Sequence, residues 1–425
     1  MLNPKVSALI SREFARQQTT LSLIPSENYV SPAVQTAQAS CFTNKYAEGY
    51  PGKRYYGGTK FCDELELLCQ KQAQKAFQTE YFVNVQPYSG SPANLAAYLG
   101  LIEPGQTIMG LNLGGGGHLT HGHKVSLTAK LFKSVQYNVD PETNQINFDK
   151  LEKLAQEHKP KIIVAGSTAY ARTLNFAAFA AIAKKVGAYL LADISHISGL
   201  VATGLHPSPF GSADAVTTTT HKMLRGPRGA LIFSKNEELA ARIDKVVFPG
   251  LQGGPHLHTI SAITQALFEA ETPEYKKYCL QVIKNAQAMV IVLKDRSFKV
   301  VTDGTDNHLF LLDLRLKNIT GEEAQEKLES FGIVVNKNTI PFDPAGPFKP
   351  SGIRLGTPAI TTRGLKEKDC QQLAVFIADI LDDKPVSKED ISAFIARFPI
   401  VGGKTARLSR RYKISDIPAT IVASK

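Results

Sequence analysis

A chain of 425 residues with 43% hydrophobic and 20% charged residues has the balance of a folded globular protein, and its length calls for a large core plus a smaller second domain. The net charge of +11 suggests nucleic-acid binding, but the positive residues are spread along the chain without an aromatic-plus-basic module, so attraction for small anions is the more economical reading. No apolar run approaches the roughly 18 residues that span a bilayer, and the N-terminus has no apolar signal core. Cys41, Cys62, Cys69, Cys279 and Cys370 lack C-x-x-C spacing, so a cytoplasmic protein with reduced thiols and no metal site is expected.

Residues 1–30 read as an N-terminal helix and arm, with Val6, Leu9, Ile10 and Phe14 of "VSALISREFARQ" on one helical face. Residues 31–265 alternate strand-like and helical runs. The predicted strands are "YFVNVQP", "TIMGLNL", "KIIVAGS", "AYLLADIS", "DAVTTTT" and "GALIFS"; the alanine-rich "FAAFAAIAKKVG" is a helix that Gly187 can stop. Such alternation predicts an α/β domain with a mainly parallel sheet and a ligand site beyond the strand carboxyl ends. Residues 266–425 read as an α+β domain. Its strands are "FKVV", "HLFLLDLR" and "SGIRLG", Thr320 and Glu323 form a capping box, and "EKDCQQLAVFIADILDD" is a closing helix. The basic tail after Pro399 reads as a solvated or partner-packing segment.

Three motifs carry chemistry. In "NVQPYSGSPANLAAYLGL" a strand ends at Pro87, and Ser91-Pro92 has the form of an N-cap followed by proline at the first helical position. Ser89, Gly90 and Ser91 would then present free N–H groups to a phosphate, or form a plain capped turn; the spacing is neither a Walker loop nor a dinucleotide fingerprint. Asp193 and His196 close a strongly apolar strand, where a carboxylate needs a cationic partner: a protonated ring nitrogen of a cofactor, or an internal salt bridge. Lys222 ends the threonine run of "VTTTTHKMLRGPRG" near Arg225 and Arg228, whose like charge would favour its nucleophilic amine, although simple structural pairing fits the two arginines equally well. A Schiff-base lysine, a phosphate-binding helix start and a strand-end aspartate are together the parts of a pyridoxal-phosphate site.

These residues sit in longer stretches, "TNKYAEGYPGKRYYGG", "GGHLTHG", "ADISHISGL", "FPGLQGGP", "TDNHLFLLDL" and "SGIRLGTPAITTRG" among them, that resemble the serine hydroxymethyltransferases over nearly the whole chain. The resemblance implies the type I fold of pyridoxal-phosphate enzymes, with a mainly parallel seven-stranded sheet. The implied reaction is reversible transfer of serine's hydroxymethyl carbon to tetrahydrofolate, giving glycine and 5,10-methylenetetrahydrofolate. It implies the Schiff base at Lys222, Asp193 on the cofactor's ring nitrogen, His118 stacked on the ring, and Gly90 and Ser91 at the phosphate. Thr168 and His196 fall at the phenolic oxygen, with Thr219, His221 and Arg228 beside the cofactor. Arg354 would clamp the substrate carboxylate, aided by Ser26, Tyr55 and Tyr56. Glu48 would be the acid-base carboxylate, and it would come with Tyr46 and Gly254 from a second subunit, so a homodimer at minimum is implied. Leu113, Gly117, His118, Leu119, Asn338, Ala345, Gly346 and Pro347 match the folate region. Tyr88, Gly114, Gly115 and Phe342 depart from the family's usual residues. The alternative within enzymes is a folate-independent aldolase of 3-hydroxy amino acids; the alternative outside them is an RNA-binding protein.

Overall fold

A computed structural model describes residues 2–346 and 348–400. Its centre is a seven-stranded sheet built from β1 (Phe82–Asn84), β2 (Thr107–Leu111), β3 (Lys133–Tyr137), β4 (Ile162–Gly166), β5 (Tyr189–Asp193), β6 (Ala215–Thr219) and β7 (Ala230–Ser234). The spatial order is β1-β7-β6-β5-β4-β2-β3. Only β7 runs antiparallel to its neighbours. Every residue of β4, β6 and β7 is buried, as expected of strands covered on both faces by helices.

All six strands read in the first domain are present. The seventh, β3, was not foreseen: it is an edge strand whose Lys133 and Ser134 face solvent, so "KSVQY" lacks the continuous apolar run of its neighbours. Gly187 ends the Phe176–Val186 helix in the left-handed region at φ 67°.

The second sheet holds β8 (Lys299–Val300), β9 (Leu309–Asp313), β10 (Asn336–Asn338) and β11 (Gly352–Gly356), in the order β8-β9-β11-β10. Thr320 and Glu323 make the reciprocal capping box, with the Glu323 amide donating to Thr320 Oγ1 at 3.1 Å and the Thr320 amide donating to Glu323 Oε2 at 2.8 Å.

Two features blur a linear division of the chain. Leu21–Ser22 pairs in parallel with Ile333–Val334, so Leu21 and Leu23 join the C-terminal core. The Pro273–Asp295 helix gives Tyr275, Tyr278, Cys279 and Val282 to the large core, then Ala286, Met289, Val290 and Leu293 to the small one. Residue 265 falls within the Leu257–Ala270 helix. The Pro4–Thr19 helix buries none of its residues; Val6, Leu9 and Ile10 are exposed and Phe14 is only half-covered. Among the described residues no helix is long and apolar enough to cross a membrane. The basic tail from Val401 onward lies outside the described residues.

Candidate active site

The sheet topology brings the chemical residues to one end. β5 terminates on Asp193, and the adjacent β6 runs through Thr219 to Thr220, His221 and Lys222. Thr220 ties off the lysine loop: its amide donates to Gly229 O at 3.1 Å, its hydroxyl donates to Pro227 O at 2.7 Å, and its carbonyl accepts the Gly226 amide at 2.8 Å. Lys222 Nζ donates to Thr219 Oγ1 at 2.8 Å. Burial drives the ammonium down to about 8, with Arg354 and Arg228 adding to the fall and Asp193 opposing it.

Arg225 takes a different place from the one its proximity in sequence suggests. It adopts φ 54° and stacks on tyrosines, its guanidinium carbon 4.4 Å from the Tyr278 ring centre and 5.3 Å from that of Tyr275. Arg228 does line the lysine cavity.

Asp193 is held by three donors. Oδ2 accepts from Asn94 Nδ2 at 2.8 Å and from His121 Nε2 at 3.0 Å; Oδ1 accepts the Ser195 amide at 3.0 Å. Burial opposes its charge, but the His121 contact, the nearby His118 and Ser195 outweigh burial and keep the carboxyl well below the usual range. Both readings of this carboxylate therefore meet in one place: it has an internal imidazole partner and still lines the cavity. Asn94 Oδ1 in turn accepts from Thr217 Oγ1 at 2.6 Å, locking the group to β6. Sequence reasoning missed Asn94 and His121. The signal for His121 was present three residues beyond His118 in "HLTH", the spacing of one helical turn.

The helix after β1 begins two residues earlier than expected. It spans Gly90–Leu101 with Ser89 at the N-cap, extended and without a side-chain cap, so Ser91-Pro92 lies inside the first turn. A Cβ on Gly90 would come within 2.7 Å of the Thr219 methyl. Glycine thus lets an uncapped helix start approach the lysine strand, where its N–H groups can receive an anion.

A cavity of about 410 Å³ gathers Ser26, Gly90, Ser91, Thr168, Asp193, His196, Thr219, His221, Lys222, Arg228 and Arg354. Leu113, Gly117, His118, Leu119 and Asn338 also line it. Arg354, on β11, reaches from the second sheet; its Nη1 donates to Thr168 O at 2.6 Å and its Nε to Asn336 Oδ1 at 3.2 Å. Burial pulls the guanidinium down to about 10. His118 and His221 are likewise pushed by burial to about 4 and about 3, so both rings are neutral near pH 7.

The remaining candidates lie elsewhere on the chain. Tyr46 Oη donates to Glu48 Oε1 at 2.7 Å, the Tyr46 and Tyr56 rings meet edge-on at 5.0 Å, and Gly254 sits against Tyr46. Glu48 and Tyr55 line a separate open cavity of about 540 Å³ with residues 248–253. Ala345 and Gly346 are not in the lysine cavity, and Pro347 lies outside the described residues.

The departures from the usual pattern have local reasons. Tyr88 does not line the cavity; its ring stacks on His256 at 4.1 Å, its hydroxyl donates to Gly254 O at 2.8 Å, and its amide donates to Gln252 Oε1 at 3.0 Å. A Cβ on Gly115 would approach both Asn112 Oδ1 and Asn138 Oδ1 at 2.8 Å, whereas one on Gly114 would have room. Phe342 is half-exposed at φ 55°.

A family model described as serine hydroxymethyltransferase matches residues 1–377. The chain belongs to the serine hydroxymethyltransferase family. It is 56% identical over 375 residues to a serine hydroxymethyltransferase of Legionella pneumophila, covering 88% of this chain and 90% of that one. It is 52% identical over 392 residues to that of Alkalilimnicola ehrlichii, covering 92% and 93% of the two chains. Over 405 residues it is 51% identical to that of Acinetobacter baylyi, covering 94% and 97%. Membership brings the type I fold and the activity of a glycine hydroxymethyltransferase, which exchanges a one-carbon unit between serine and a folate carrier with pyridoxal phosphate. Hydroxymethyl transfer, not folate-independent aldol cleavage, is thus the reading that serine hydroxymethyltransferase kinship supports.

Proposed function

We propose that the Lys222 cavity is the pyridoxal-phosphate site and that this chain's residues divide the family's reaction as follows. The observation that carries the reading is the convergence, in one cavity, of a lysine amine brought down to about 8 and a carboxylate held ionised opposite it. The residues fit the cofactor: an uncapped helix start suits its phosphate, the neutral face of His118 suits its ring, and the Asp193 charge suits a protonated ring nitrogen. His221 Nδ1 is also buried without a partner among the described residues. When bound, pyridoxal phosphate supplies a ring that withdraws electrons from the amino acid's α-carbon.

Lys222 Nζ, largely stripped of solvent, is the amine that binds and releases, and Thr219 Oγ1 accepts its proton-bearing side. Asp193 keeps its charge toward the cavity because Asn94, His121 and Ser195 occupy its lone pairs. Arg354 orients the amino acid by its carboxylate, a planar anion that a guanidinium grips bidentately, with Ser26 beside it. Leu113, Gly117, Leu119 and Asn338 form the folate side of the wall, and Ala345 and Gly346, which do not line the cavity, are assigned to the same ligand.

Glu48 moves the proton of the serine hydroxyl or of the folate nitrogen. In one subunit it stands outside the lysine cavity, so it acts with Tyr46, Tyr55, Tyr56 and Gly254 in the site of a second copy. The uncovered apolar face of the Pro4–Thr19 helix and the exposed tyrosines support a homodimer. Five cysteines without a disulfide, four of them buried, support work in the reducing cytoplasm.

The test is an absorbance spectrum of purified protein with pyridoxal phosphate, before and after glycine plus tetrahydrofolate, alongside serine cleavage with and without tetrahydrofolate. A visible cofactor band that responds to both ligands, and cleavage accelerated by folate, are expected. Serine cleavage indifferent to tetrahydrofolate would overturn the reading.

A further inference from the structure

His308 takes no part in the assignments above, and it does not line the cavity. It immediately precedes β9 in the C-terminal part of the chain, yet its Nε2 lies 3.2 Å from Nδ1 of His196, which follows β5 of the large sheet. His308 is 0% exposed and His196 5%. The contact is held from both sides. Thr305 Oγ1 and the Asp306 amide donate to Ala171 O at 3.3 and 2.9 Å, and Asn307 Nδ2 donates to Tyr170 O at 3.0 Å. The Asp306 carboxylate accepts from Arg172 Nη1 at 2.9 Å and from the Thr173 amide at 3.0 Å. Within its own domain His308 O accepts the Thr357 amide at 3.0 Å.

One proton sits between the two rings, and the environment decides which ring owns it. His308 Nδ1 is buried with no partner among the described residues. Were His196 the donor, neutral His308 would carry its proton on that partnerless Nδ1, a buried orphaned N–H. With His308 Nε2 as donor, the partnerless Nδ1 holds only a lone pair, the less costly deficit. Both rings are neutral: burial pushes His308 down to about 3 and His196 well below its ordinary value. The groups facing them reinforce this, since Lys222 and Arg354 face both, His118 faces His196 and His206 faces His308, and none of these is a carboxylate.

We propose that His308 is a positioning residue of the active site: its Nε2–H donates to His196 Nδ1 and so fixes His196 as the tautomer that turns an Nε2–H donor into the Lys222 cavity. His196 lines that cavity, and among the described residues its Nε2 neither finds a protein partner nor is sealed away from it. The donor is therefore aimed at a ligand oxygen, and it is set from the other domain. The tautomer itself follows from protein contacts alone; that the oxygen met there is the cofactor's rests on the reading of the cavity given above.

The test is solid-state NMR of protein carrying ring-¹⁵N histidine, cofactor-free and loaded, with His196→Asn and His308→Asn samples assigning the two rings. Expected in both states is a protonated Nε2 and a lone-pair Nδ1 on His196 and on His308. In His308→Leu, His196 should populate the other tautomer. Loss of a donor that favours an anionic oxygen should then raise the pH midpoint of the bound cofactor's visible band by about half a unit or more. His308→Gln, whose amide can still donate, should restore both signals. A proton on His196 Nδ1 in the unaltered protein overturns the proposal, as does a folded His308→Leu protein with unchanged tautomer and midpoint. Should His308→Leu fail to fold, the unaltered protein and His308→Gln still decide it. Should no visible band form in any sample, the cofactor reading fails, while the cofactor-free spectrum still decides the tautomer.

Discussion

Around Lys222, side chains from both domains of one chain close on a single cavity, and Asp193, Thr217, Asn94 and His121 satisfy one another behind it. Around Glu48, by contrast, Tyr46 is 51% exposed, Tyr55 73% and Tyr56 47%. Yet the Glu48 loop is not loose. Arg54 is buried beneath it, donates to the carbonyls of Ala47 and Gly49 on either side of Glu48, and pairs with Asp63 and the buried Glu66 at 2.8 and 2.5 Å. Shifting a lysine's proton equilibrium needs burial that one subunit can supply; the proposed delivery of a carboxylate to a second copy would need a surface that is exposed and rigid at once.

The sharpest break of the comparison is Lys222→Ala. It should abolish the cofactor's covalent band and lower kcat/KM by at least about a thousandfold, ~4 kcal/mol of transition-state stabilisation, in steady-state assays with serine. Glu48→Gln should also be severely impaired, by about a hundredfold or more. Mixing these two inactive proteins under conditions that exchange subunits should return about a quarter of normal activity, because half the dimers are mixed and each regains one intact site. No recovery would mean that Glu48 serves its own subunit.

Arg354→Lys should raise KM for serine by about ten- to a hundredfold with a smaller change in kcat, since a point charge replaces a two-pronged donor and the bond to Thr168 O is weakened. Burial sets the sign of a pH effect at Lys222. Its folded pKa of about 8 lies below the roughly 10.4 of an unfolded lysine, so the cost of the buried ammonium is fully present below about 8 and disappears as pH rises toward 10.4. Melting of cofactor-free Lys222→Met should exceed that of the unaltered protein at pH 7, with the gap closing across that window. Tyr88→Phe should have the smallest effect, about 1 kcal/mol of stability from the lost bond to Gly254 O, read in denaturant melts.

Much of this was legible in order along the chain. Strands β4 to β7 announce themselves because both faces are buried, and Asp193 and Lys222 stand out because charged groups follow those apolar runs. β3 was illegible because an edge strand needs no continuous apolar pattern. Arg225 stayed open between cofactor-side charge and structural pairing because sequence proximity to Lys222 says nothing about the direction a positive-φ residue sends its side chain, here toward Tyr278. Asn94 and His308 were missed because nothing in their immediate neighbours marks them, and the one local signal for His121, its spacing from His118, does not name its partner; each acquires meaning only from a partner between 72 and 112 residues away.

The sequence by itself determined the fold class, the family and the identities of the reactive groups, because periodicity and long motifs are local properties that survive without coordinates. Only the tertiary structure decided which groups share a cavity. It put Arg354 on Thr168 and His308 on His196, put Asp193 against His121, and left Glu48 outside. The reason is physical: burial and unpaired lone pairs set protonation states and donor directions, and both arise from contacts between segments that the linear order keeps far apart.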